Sequence, residues 1–324
     1  MYQIGVIGAG QLGGRHLQGL ARLSLPCEID VVDPSPVSLD SARKRFSEIS
    51  PNSSINSVNY HSSIETLPST LDYAIIATTA EVRLSALQTL LAGRKVRSVL
   101  LEKILFQYQG DYPVAEALLA SHKVQAWVNC PRRVFPIYDV VRNFFAEEPL
   151  KYFQVMGGGW GLGCNSIHFI DLLGRLTGQK PIEISTADLD NVLVPSKRKN
   201  FMEFTGSLRG QFGDTRFEIT SFAKSSARLL LTIRSESRTC VIDETAGHAF
   251  FFDSKQQTPL DRQTFEAPFM SHLSTAIATQ ILTDGSSKLA TFKQSMDYHL
   301  PLLAALGAHA SLTQGTPANF CPVT

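Results

Sequence analysis

The sequence predicts a two-domain α/β protein: a doubly wound parallel sheet, then an α/β domain with a large, mostly antiparallel open sheet. Short apolar strands alternate with helices over residues 1–128, which is the pattern of a doubly wound sheet. Strand-like segments joined by short turns fill much of residues 182–253. We therefore assign residues 1–128 to the first domain and residues 129–324 to the second, with the last helix free to pack back on the first domain.

The elements are expected in the following order. Apolar runs predict first-domain strands at residues 4–7, 28–33, 72–79, 96–101 and 124–128, with a short strand within 51–63. Alternating or apolar runs predict second-domain strands at residues 152–156, 182–190, 201–212, 215–223, 228–235, 239–243 and 248–253. Helical spacing predicts helices at residues 38–47, 83–92, 110–120, 165–176, 269–282 and 291–310.

Composition and charge narrow the class of protein. Of the 324 residues, 44% are hydrophobic and 18% are charged, as in ordinary soluble globular proteins. The net charge of +1 gives no electrostatic reason to expect nucleic acid or an anionic membrane as a partner. No apolar run reaches the roughly 18 residues that span a bilayer. The five cysteines are scattered and lack C-x-x-C spacing, which argues against a disulfide framework or a zinc site and predicts a reducing, cytoplasmic location.

A glycine-rich turn follows the first apolar strand and precedes a helix-like run. Gly8, Gly10 and Gly13 stand in the order G-x-G-x-x-G. In this motif the first glycine allows a tight turn, the second lets backbone N–H groups approach a pyrophosphate, and the third lets the helix pack closely on the strand. The positive end of the helix dipole then faces the phosphates. Because an apolar strand precedes this motif and a helix-like run follows it, the sequence predicts a Rossmann domain that binds a dinucleotide, rather than a glycine-rich turn without a ligand.

The second predicted strand ends in an acidic residue, Asp33, twenty residues past Gly13. A carboxylate at this distance from the motif accepts hydrogen bonds from the hydroxyls of an adenosine ribose. Its charge would repel the 2′-phosphate of NADP, and no arginine follows directly in residues 34–36 to offset that repulsion. The sequence therefore predicts NAD as the cofactor in preference to NADP.

Two further strands of the first domain end in polar residues. Thr78 and Thr79 follow an apolar strand, and ligands of parallel sheets bind beyond the carboxyl ends of the strands. These hydroxyls are expected to border the cofactor, with helix capping as the alternative role. Glu102 and Lys103 follow the next strand. A lysine beside a nicotinamide can orient a substrate hydroxyl or lower its pKa, whereas most lysines are simply exposed to solvent.

A histidine of the second domain is placed for proton transfer. Asn165, His168 and Asp171 lie on a predicted helix, where residues three apart share a face. Histidine is the side chain best suited to reversible proton transfer near neutral pH. The glycines within residues 157–163 leave the preceding backbone free of side chains where a substrate would approach. The alternative is a histidine that packs under these glycines without a chemical role.

A third polar cluster, Asn129, Arg132 and Arg133, lies where the pattern changes from the first domain to the second. Arginines bind anionic and polyhydroxylated ligands through several N–H donors, but they also form ion pairs between domains. The residue types leave these two roles equally open.

The order of these motifs resembles that of the Gfo/Idh/MocA family, the relatives of glucose–fructose oxidoreductase and inositol dehydrogenase, over nearly the whole chain. The similar segments are residues 8–13 with His16, 77–79, 92–96, 102–103, 129–136, 157–159 and 168–173. Ile104 stands where the family has the proline of Glu-Lys-Pro. Cys164 and Ser166 stand where it has the aspartate and the glycine of Asp-x-Gly-x-His, so that carboxylate is absent from the motif.

The resemblance implies NAD(P)-dependent hydride transfer at a carbon of a sugar, nucleotide sugar or polyol, with Lys103 and His168 as the acid and base. The cofactor-binding residues that we expect are Gly8, Gly10, Gln11, Leu12, Gly13, Asp33, Thr78, Thr79, Glu102 and Lys103. The substrate-binding residues that we expect are Asn129, Arg133, Asn165 and Asp171. The resemblance also implies a homodimer or homotetramer that associates through the outer face of the second domain's sheet.

Two alternatives to a simple dehydrogenase remain open. Some members of the family oxidise, eliminate and re-reduce their substrate with a retained NAD, as lyases or hydrolases. The missing aspartate also fits a protein that binds NAD(H) without turnover, as a sensor or a partner subunit. Substrate specificity is expected in the face of the second domain's sheet and in the loops near residues 191–200 and 254–268. The basic residues 197–199 form either a solvated loop or a contact to an anionic substrate.

Overall fold

The computed structural model of the protein describes residues 1–255 and 261–324. These residues form two compact units, each built from more than one stretch of the chain. The first unit consists of Met1–Phe106, Gly110–Pro131 and Pro268–Ser295, and the second of Gln107–Gln109, Arg132–Ala267 and Met296–Thr324. The boundary expected after residue 128 assigned residues 268–295 to the second domain, whereas they cluster with the first unit.

A seven-stranded sheet forms the centre of the first unit. Its strands are β1 (Tyr2–Ile7), β2 (Cys27–Val32), β3 (Ile55–His61), β4 (Thr70–Ile76), β5 (Lys95–Glu102), β6 (Gln125–Asn129) and β17 (Ala290–Thr291). In the order β17-β6-β5-β4-β1-β2-β3, all neighbours are parallel except β17, which is antiparallel to β6. Ile4, Val6 and Ile75 are fully buried, as in central strands of a parallel sheet. The predicted doubly wound sheet is confirmed.

The helices described in this unit are α1 (Gln11–Leu20), α2 (Pro36–Ser47), α3 (Ala80–Gly93), α4 (Asp111–Ser121) and α7 (Met270–Asp284). Pro36 occupies the first turn of α2, and the Ser35 hydroxyl accepts a hydrogen bond from the N–H of Ser38, so the sequence specifies where this helix begins. Strand order reverses between β1 and β4, and ligands of such sheets bind in the crevice at that point. Gly8 and Thr78 lie just beyond these two strand ends.

An eight-stranded sheet forms the centre of the second unit, in the order β16-β15-β14-β13-β7-β12-β11-β8. Its strands are β7 (Tyr152–Gly158), β8 (Pro181–Leu189), β11 (Gly206–Phe212), β12 (Thr215–Phe222), β13 (Leu230–Arg234), β14 (Arg238–Asp243), β15 (His248–Asp253) and β16 (Asp261–Thr264). β9 (Val194–Pro195) and β10 (Met202–Glu203) form a separate antiparallel pair. Within the large sheet β7 and β12 are parallel and the other neighbours antiparallel, which confirms the mostly antiparallel sheet.

Two strand predictions for this sheet differ from the structure. The single strand expected at residues 201–212 is divided into β10 and β11, because Gly206 has a left-handed φ of 93° that interrupts an extended chain. β16 was not predicted and forms part of the expected specificity loop at residues 254–268. Residues 256–260 of that loop lie outside the described residues.

The second unit also contains α5 (Pro136–Phe144), α6 (Leu162–Thr177) and α8 (Phe292–Gln314), of which α8 begins within the first unit. Left-handed glycines bound α6 at both ends, Gly161 with a φ of 77° and Gly178 with a φ of 69°. Ile167, Ile170 and Leu173 are fully buried, so this face anchors the helix in the core of its unit. Over the part of the chain that the structure describes, no helix combines the length and the apolarity needed to cross a membrane.

Candidate functional site

The glycine motif forms a tight connection between β1 and α1. Gly8 has a φ of 94°, a conformation that other residues rarely adopt. A Cβ on Gly8 would also lie 2.9 Å from the carbonyl carbon of Ala77 and from the backbone nitrogen of Thr78. A Cβ on Gly13 would lie 1.7 Å from the carbonyl oxygen of Gly8. Both positions therefore require glycine, one for the turn and one for the approach of helix to strand.

The first turn of α1 is open at its N-terminal end. Gly10 is the N-cap residue, and no described side chain caps the helix. A Cβ on Gly10 would meet no described atom within 4 Å, and Gln11 beside it is exposed. The first N–H groups of a helix lack intrahelical partners and carry the positive end of its dipole. This end of α1 can therefore receive an anionic group such as a pyrophosphate.

Asp33 connects the end of β2 to the glycine motif. Its Oδ2 accepts a hydrogen bond from the N–H of Ala9 at 2.8 Å, and its Oδ1 accepts one from the N–H of Ser35 at 2.9 Å. The residue is only partly buried. Because a carboxylate oxygen can accept two hydrogen bonds, each oxygen of Asp33 can still accept one from a ribose hydroxyl.

The two hydroxyls after β4 have different surroundings. Thr79 is the N-cap residue of α3, but its side chain does not cap the helix, and its Oγ1 lies 3.4 Å from a carboxylate oxygen of Glu81. The Oγ1 of Thr78 is buried and has no hydrogen-bond partner among the residues that the structure describes. A buried hydroxyl without a partner is costly, so Thr78 is a natural contact for a ligand.

Arg83 is a buried residue with no sequence motif to mark it. It lies on α3 with 1% of its surface exposed. Its Nη1 donates to the carbonyl oxygens of Ile104 and Leu105, the latter at 2.8 Å, and its Nη2 donates to the carbonyl oxygen of Thr78. The peptide bond between Lys103 and Ile104 is cis. One guanidinium therefore joins the segment after β4 to the segment after β5, which carries Lys103.

Glu102, the last residue of β5, is buried inside the first unit. Its Oε1 accepts hydrogen bonds from Nε2 of His16 at 2.8 Å and from Nδ2 of Asn129 at 2.5 Å. Burial acts to raise the pKa of Glu102, but the hydrogen bond and charge of His16, with smaller contributions from Asn129 and Arg83, hold it below its ordinary value. The structure thus brings the expected ligand contacts Glu102 and Asn129 together in one buried cluster with His16.

Two of the glycines before α6 are required by the close approach of another backbone segment. A Cβ on Gly158 would lie 2.3 Å from the carbonyl oxygen of Ser225, and a Cβ on Gly157 would lie 2.8 Å from Cα of Leu229. These two positions lack side chains because another backbone segment passes close to them. This corrects the expectation that the glycines at residues 157 and 158 make room for a substrate.

Asn165 and His168 lie on the first turns of α6. Nδ2 of Asn165 donates to the carbonyl oxygen of Trp160 at 2.8 Å, and the indole N–H of Trp160 donates to the carbonyl oxygen of Thr220 at 2.9 Å. His168 is half-buried. The segment before the helix thus fixes Asn165, while part of the surface of His168 stays accessible.

A carboxylate lies at the N-terminal end of α6 although Cys164 does not supply one. The N–H of Cys164 donates to the carboxylate of Glu203, at 3.2 and 3.3 Å from its two oxygens. Glu203 belongs to β10 and is 7% exposed. A Cβ on Gly163 would lie 2.9 Å from Oε2 of Glu203, so strand and helix approach closely here. Negative charge stabilises a helix N-terminus, and Glu203 provides it from outside the motif.

The two arginines of the third cluster form ion pairs within the second unit. Arg132 donates two hydrogen bonds to Glu244, of 2.8 and 2.6 Å, and Nε of Arg133 donates to Oδ2 of Asp171 at 2.6 Å. Asp171 is fully buried, which raises its pKa to about 6 although Arg133 opposes the rise. The expected ion pair between domains is therefore not what these contacts show: both arginines pair inside the second unit, and Arg133 and Asp171 are brought together.

Within residues 1–255 and 261–324, no group of three or more His, Cys, Asp or Glu residues could hold a metal ion. The five cysteines are free, and all except Cys164 are buried. Burial raises the pKa of the Cys27 thiol to about 11, so this thiol is unreactive at neutral pH.

Comparisons with known proteins point to one fold. No family model and no curated protein matches the chain. Among solved structures, the UDP-N-acetylglucosamine 3-dehydrogenase GnnA from Acidithiobacillus ferrooxidans has a TM-score of 0.70 at 15% identity, over 96% of this chain and 97% of that one. A Gfo/Idh/MocA family oxidoreductase from Vibrio cholerae has a TM-score of 0.69 at 16% identity, over 97% and 99%. The transcriptional regulator Gal80p from Kluyveromyces lactis has a TM-score of 0.73 at 13% identity, over 96% and 93%.

At these identities the likeness is one of fold, and it extends over nearly the full length of each chain. Two oxidoreductases and a transcriptional regulator share it, so the fold alone does not fix an activity. The chain has the fold of the Gfo/Idh/MocA oxidoreductases, the family that its motifs resemble.

Proposed function

We propose that the protein is an oxidoreductase that transfers a hydride between NAD and the hydroxyl-bearing carbon of a sugar, nucleotide sugar or polyol. The observation that carries the proposal is the open N-terminus of α1 after the glycine turn, with Asp33 bonded to Ala9 in that turn. The fold supports it, since one protein that shares the fold is a UDP-N-acetylglucosamine 3-dehydrogenase.

The residues of the first unit fit a nicotinamide dinucleotide. The N–H groups of Gln11 and Leu12 would bind the pyrophosphate, and the open space beside Gly10 lets it approach. Asp33 would accept hydrogen bonds from the adenosine ribose. The Thr78 hydroxyl, which is buried without a described partner, would donate to the cofactor beyond β4. When bound, the cofactor supplies the carbon that accepts or returns a hydride.

Lys103 and His168 are the proposed proton-transfer residues. When a hydride leaves a secondary alcohol carbon and a carbonyl forms, the hydroxyl must lose its proton. A cation that lowers the pKa of the hydroxyl and a base that accepts its proton both speed this step. We assign the cation to Lys103, whose loop is held by Arg83, and the base to the half-buried His168. Asn165 is assigned a hydrogen bond to the substrate.

Turnover measurements test this assignment. Lys103→Met and His168→Gln should each lower kcat by roughly a hundredfold or more, because positioned acid–base groups contribute about 10²–10⁴-fold. Binding of NADH, followed by its fluorescence, should be retained in both variants. Lys44→Met and His122→Gln replace exposed residues and should keep wild-type turnover. Unchanged turnover in both site variants would refute the assignment.

Asp33 should set the preference for NADH over NADPH. Its carboxylate repels a 2′-phosphate, and unit charges about 4 Å apart near a surface interact by about 1–4 kcal/mol. Asp33→Asn keeps a side-chain oxygen for Ala9 but loses the charge, so the ratio of NADH to NADPH affinity should fall by roughly ten- to a hundredfold. Asp40→Asn, at an exposed position on α2, should leave the ratio unchanged. Equal ratios in wild type and Asp33→Asn would contradict this role.

A protein that binds NAD(H) without turnover is the second candidate. Gal80p, a transcriptional regulator, has the same fold, and Cys164 occupies the motif position of the family's aspartate. Tight NADH binding without activity on a broad panel of sugars and nucleotide sugars would support this candidate, and one good substrate would exclude it. An enzyme with a transient redox step would instead retain its cofactor through purification and show no net consumption of it.

A further inference from the structure

His16 is a fully buried histidine whose two ring nitrogens both meet an oxygen atom. It lies on α1, directly after the glycine motif, with 0% of its surface exposed. Its Nε2 lies 2.8 Å from Oε1 of Glu102, and its Nδ1 lies 2.8 Å from Oγ of Ser274 on α7. The chemistry of these two oxygens determines how many hydrogens the ring carries.

The hydroxyl of Ser274 acts as an acceptor toward His16. A serine hydroxyl has one hydrogen, and Ser274 donates it to the carbonyl oxygen of Met270 at 2.8 Å, one turn earlier on α7. Toward the ring of His16, Oγ can then act only as a hydrogen-bond acceptor. Nδ1 of His16 must therefore carry a hydrogen, since otherwise two lone pairs would face each other at 2.8 Å.

Glu102 is also an acceptor toward His16. Two nitrogens lie within hydrogen-bond distance of the same oxygen, Oε1, which is the arrangement of a carboxylate oxygen that accepts twice and has no hydrogen to donate. Asn129 adds an N–H donor to the same oxygen. Nε2 of His16 must then be a donor as well, and a ring with hydrogen on both nitrogens is an imidazolium.

Other titratable groups face this pair from neighbouring elements. The positive charge of Arg83, on α3, favours the carboxylate of Glu102. Tyr73, on β4, is fully buried, and its pKa is raised by burial and secondarily by the charge of Glu102, so it stays neutral. His16 and Glu102 thus form a pair of opposite charges shielded from water, where hydrogen bonds enforce geometry strongly.

We propose that His16 is a positioning residue, whose imidazolium fixes Glu102 and thereby the place of Lys103, the next residue in the chain. The hydrogen bonds of His16, Glu102, Asn129 and Ser274 join α1, β5, β6 and α7. α1 carries the proposed pyrophosphate contacts, and β5 leads to the proposed proton-transfer lysine. The network therefore sets Lys103 relative to the bound cofactor, and this inference rests on the function proposed for Lys103.

Nitrogen-15 spectra of the full-length protein with labelled histidine test the charge of the ring without a substrate. At neutral pH both ring nitrogens of His16 should show the chemical shifts of N–H groups, and their absence in His16→Gln assigns them. A ring with one bare nitrogen would overturn the proposal. Because this readout needs no turnover, failure of the imidazolium is distinguished from failure of the proposed hydride transfer.

Kinetics test the positioning role. His16→Gln and Glu102→Gln each remove one charge of the pair, and each should lower kcat by roughly tenfold or more, because small misplacements of reacting groups are costly. NADH affinity should change less than roughly threefold in His16→Gln, and the kcat of the double variant should be no lower than that of either single variant, since both break the same pair. Thr275→Val is the matched control: it removes a hydrogen bond from α7 to Gly19 on α1, outside the network, and should keep kcat.

A purely structural role predicts a different pattern. His16→Gln would then lower Tm while the folded protein kept its kcat, and that result would overturn the proposal. If His16→Gln does not fold, Ser274→Ala is used instead, because it removes the acceptor of Nδ1 and one hydrogen bond within α7 but leaves both His16 and Glu102 in place. It should lower kcat severalfold, and an unchanged kcat would count against the positioning role.

Discussion

Gly13→Ala is expected to remove measurable NADH binding. The added Cβ would lie 1.7 Å from the carbonyl oxygen of Gly8 and 2.9 Å from its carbonyl carbon. Both are backbone atoms, which cannot rotate away as a side chain can, so α1 must shift from β1. The N–H groups at the start of α1 and the turn at Gly8 would then no longer meet a pyrophosphate together. Overpacking of this kind also lowers stability by roughly 1–3 kcal/mol.

Two other glycines provide controls for this prediction. A Cβ on Gly93, at the end of α3, would meet no described atom within 4 Å, so Gly93→Ala should leave both binding and stability nearly unchanged. Gly10→Ala also has open space in the protein, but its methyl group would stand where the pyrophosphate approaches. It should weaken binding without lowering Tm. Wild-type NADH affinity in Gly13→Ala, measured by fluorescence titration, would contradict the role of the motif.

Asp171→Ala is expected to destabilise the second unit by about 3–5 kcal/mol near neutral pH. The Arg133 side chain is 8% exposed and its partner Asp171 is fully buried, with 2.6 Å between Nε and Oδ2. Removing the carboxylate leaves a buried guanidinium without its opposite charge, which is far less favourable than removing both charges. Urea unfolding of wild type and variant measures the difference.

The pH dependence of this difference has a defined sign. Burial raises the pKa of Asp171 from its ordinary value of 3.8 to about 6. Between these pH values the native state binds a proton that the unfolded chain releases, so lowering the pH through this range stabilises the wild type. Asp171→Ala lacks this carboxyl group, so it gains no stability from proton binding there. A gap between wild type and variant that narrows as the pH falls from about 7.5 to 5 would contradict the raised pKa.

Two further variants separate charge burial from other effects of Asp171→Ala. Arg133→Met combined with Asp171→Leu removes both charges and should recover most of the stability. Asp40→Ala breaks an exposed pair with Arg43 and should cost less than about 1 kcal/mol. A similarly small cost for Asp171→Ala would show that Arg133 does not depend on this carboxylate, which would restore it as a candidate for substrate binding.

The strand–turn–helix that forms the proposed cofactor site was predictable because its determinants are local. Gly8, Gly10 and Gly13 lie within one strand–turn–helix connection, and Asp33 directly follows the next strand. Their spacing along the chain therefore reflects their positions in the sheet. β16 was not predictable in this way, because Asp261–Thr264 carries no apolar alternation and is a strand only through its pairing with β15.

The side chains that hold the backbone of the candidate site could not be predicted from the sequence. Arg83 lies four residues before the buried Leu87, so the sequence does place a cation on an apolar helix face, but its partners are carbonyl oxygens 21 and 22 residues away. Glu203 binds the N–H of Cys164 across 39 residues. Backbone atoms are the same in every residue type, so contacts of this kind leave no signature in the sequence.

Residues 268–295 join the first unit from the far end of the chain. Ser274 and Thr275 on α7 bond to α1, and β17 pairs with β6. During synthesis on the ribosome, most of the first unit therefore emerges first but keeps one face of α1 uncovered and β6 as an open edge until β17 has been made. A fragment that ends at residue 128 would share this defect permanently. An isolated first unit has to include residues 268–295.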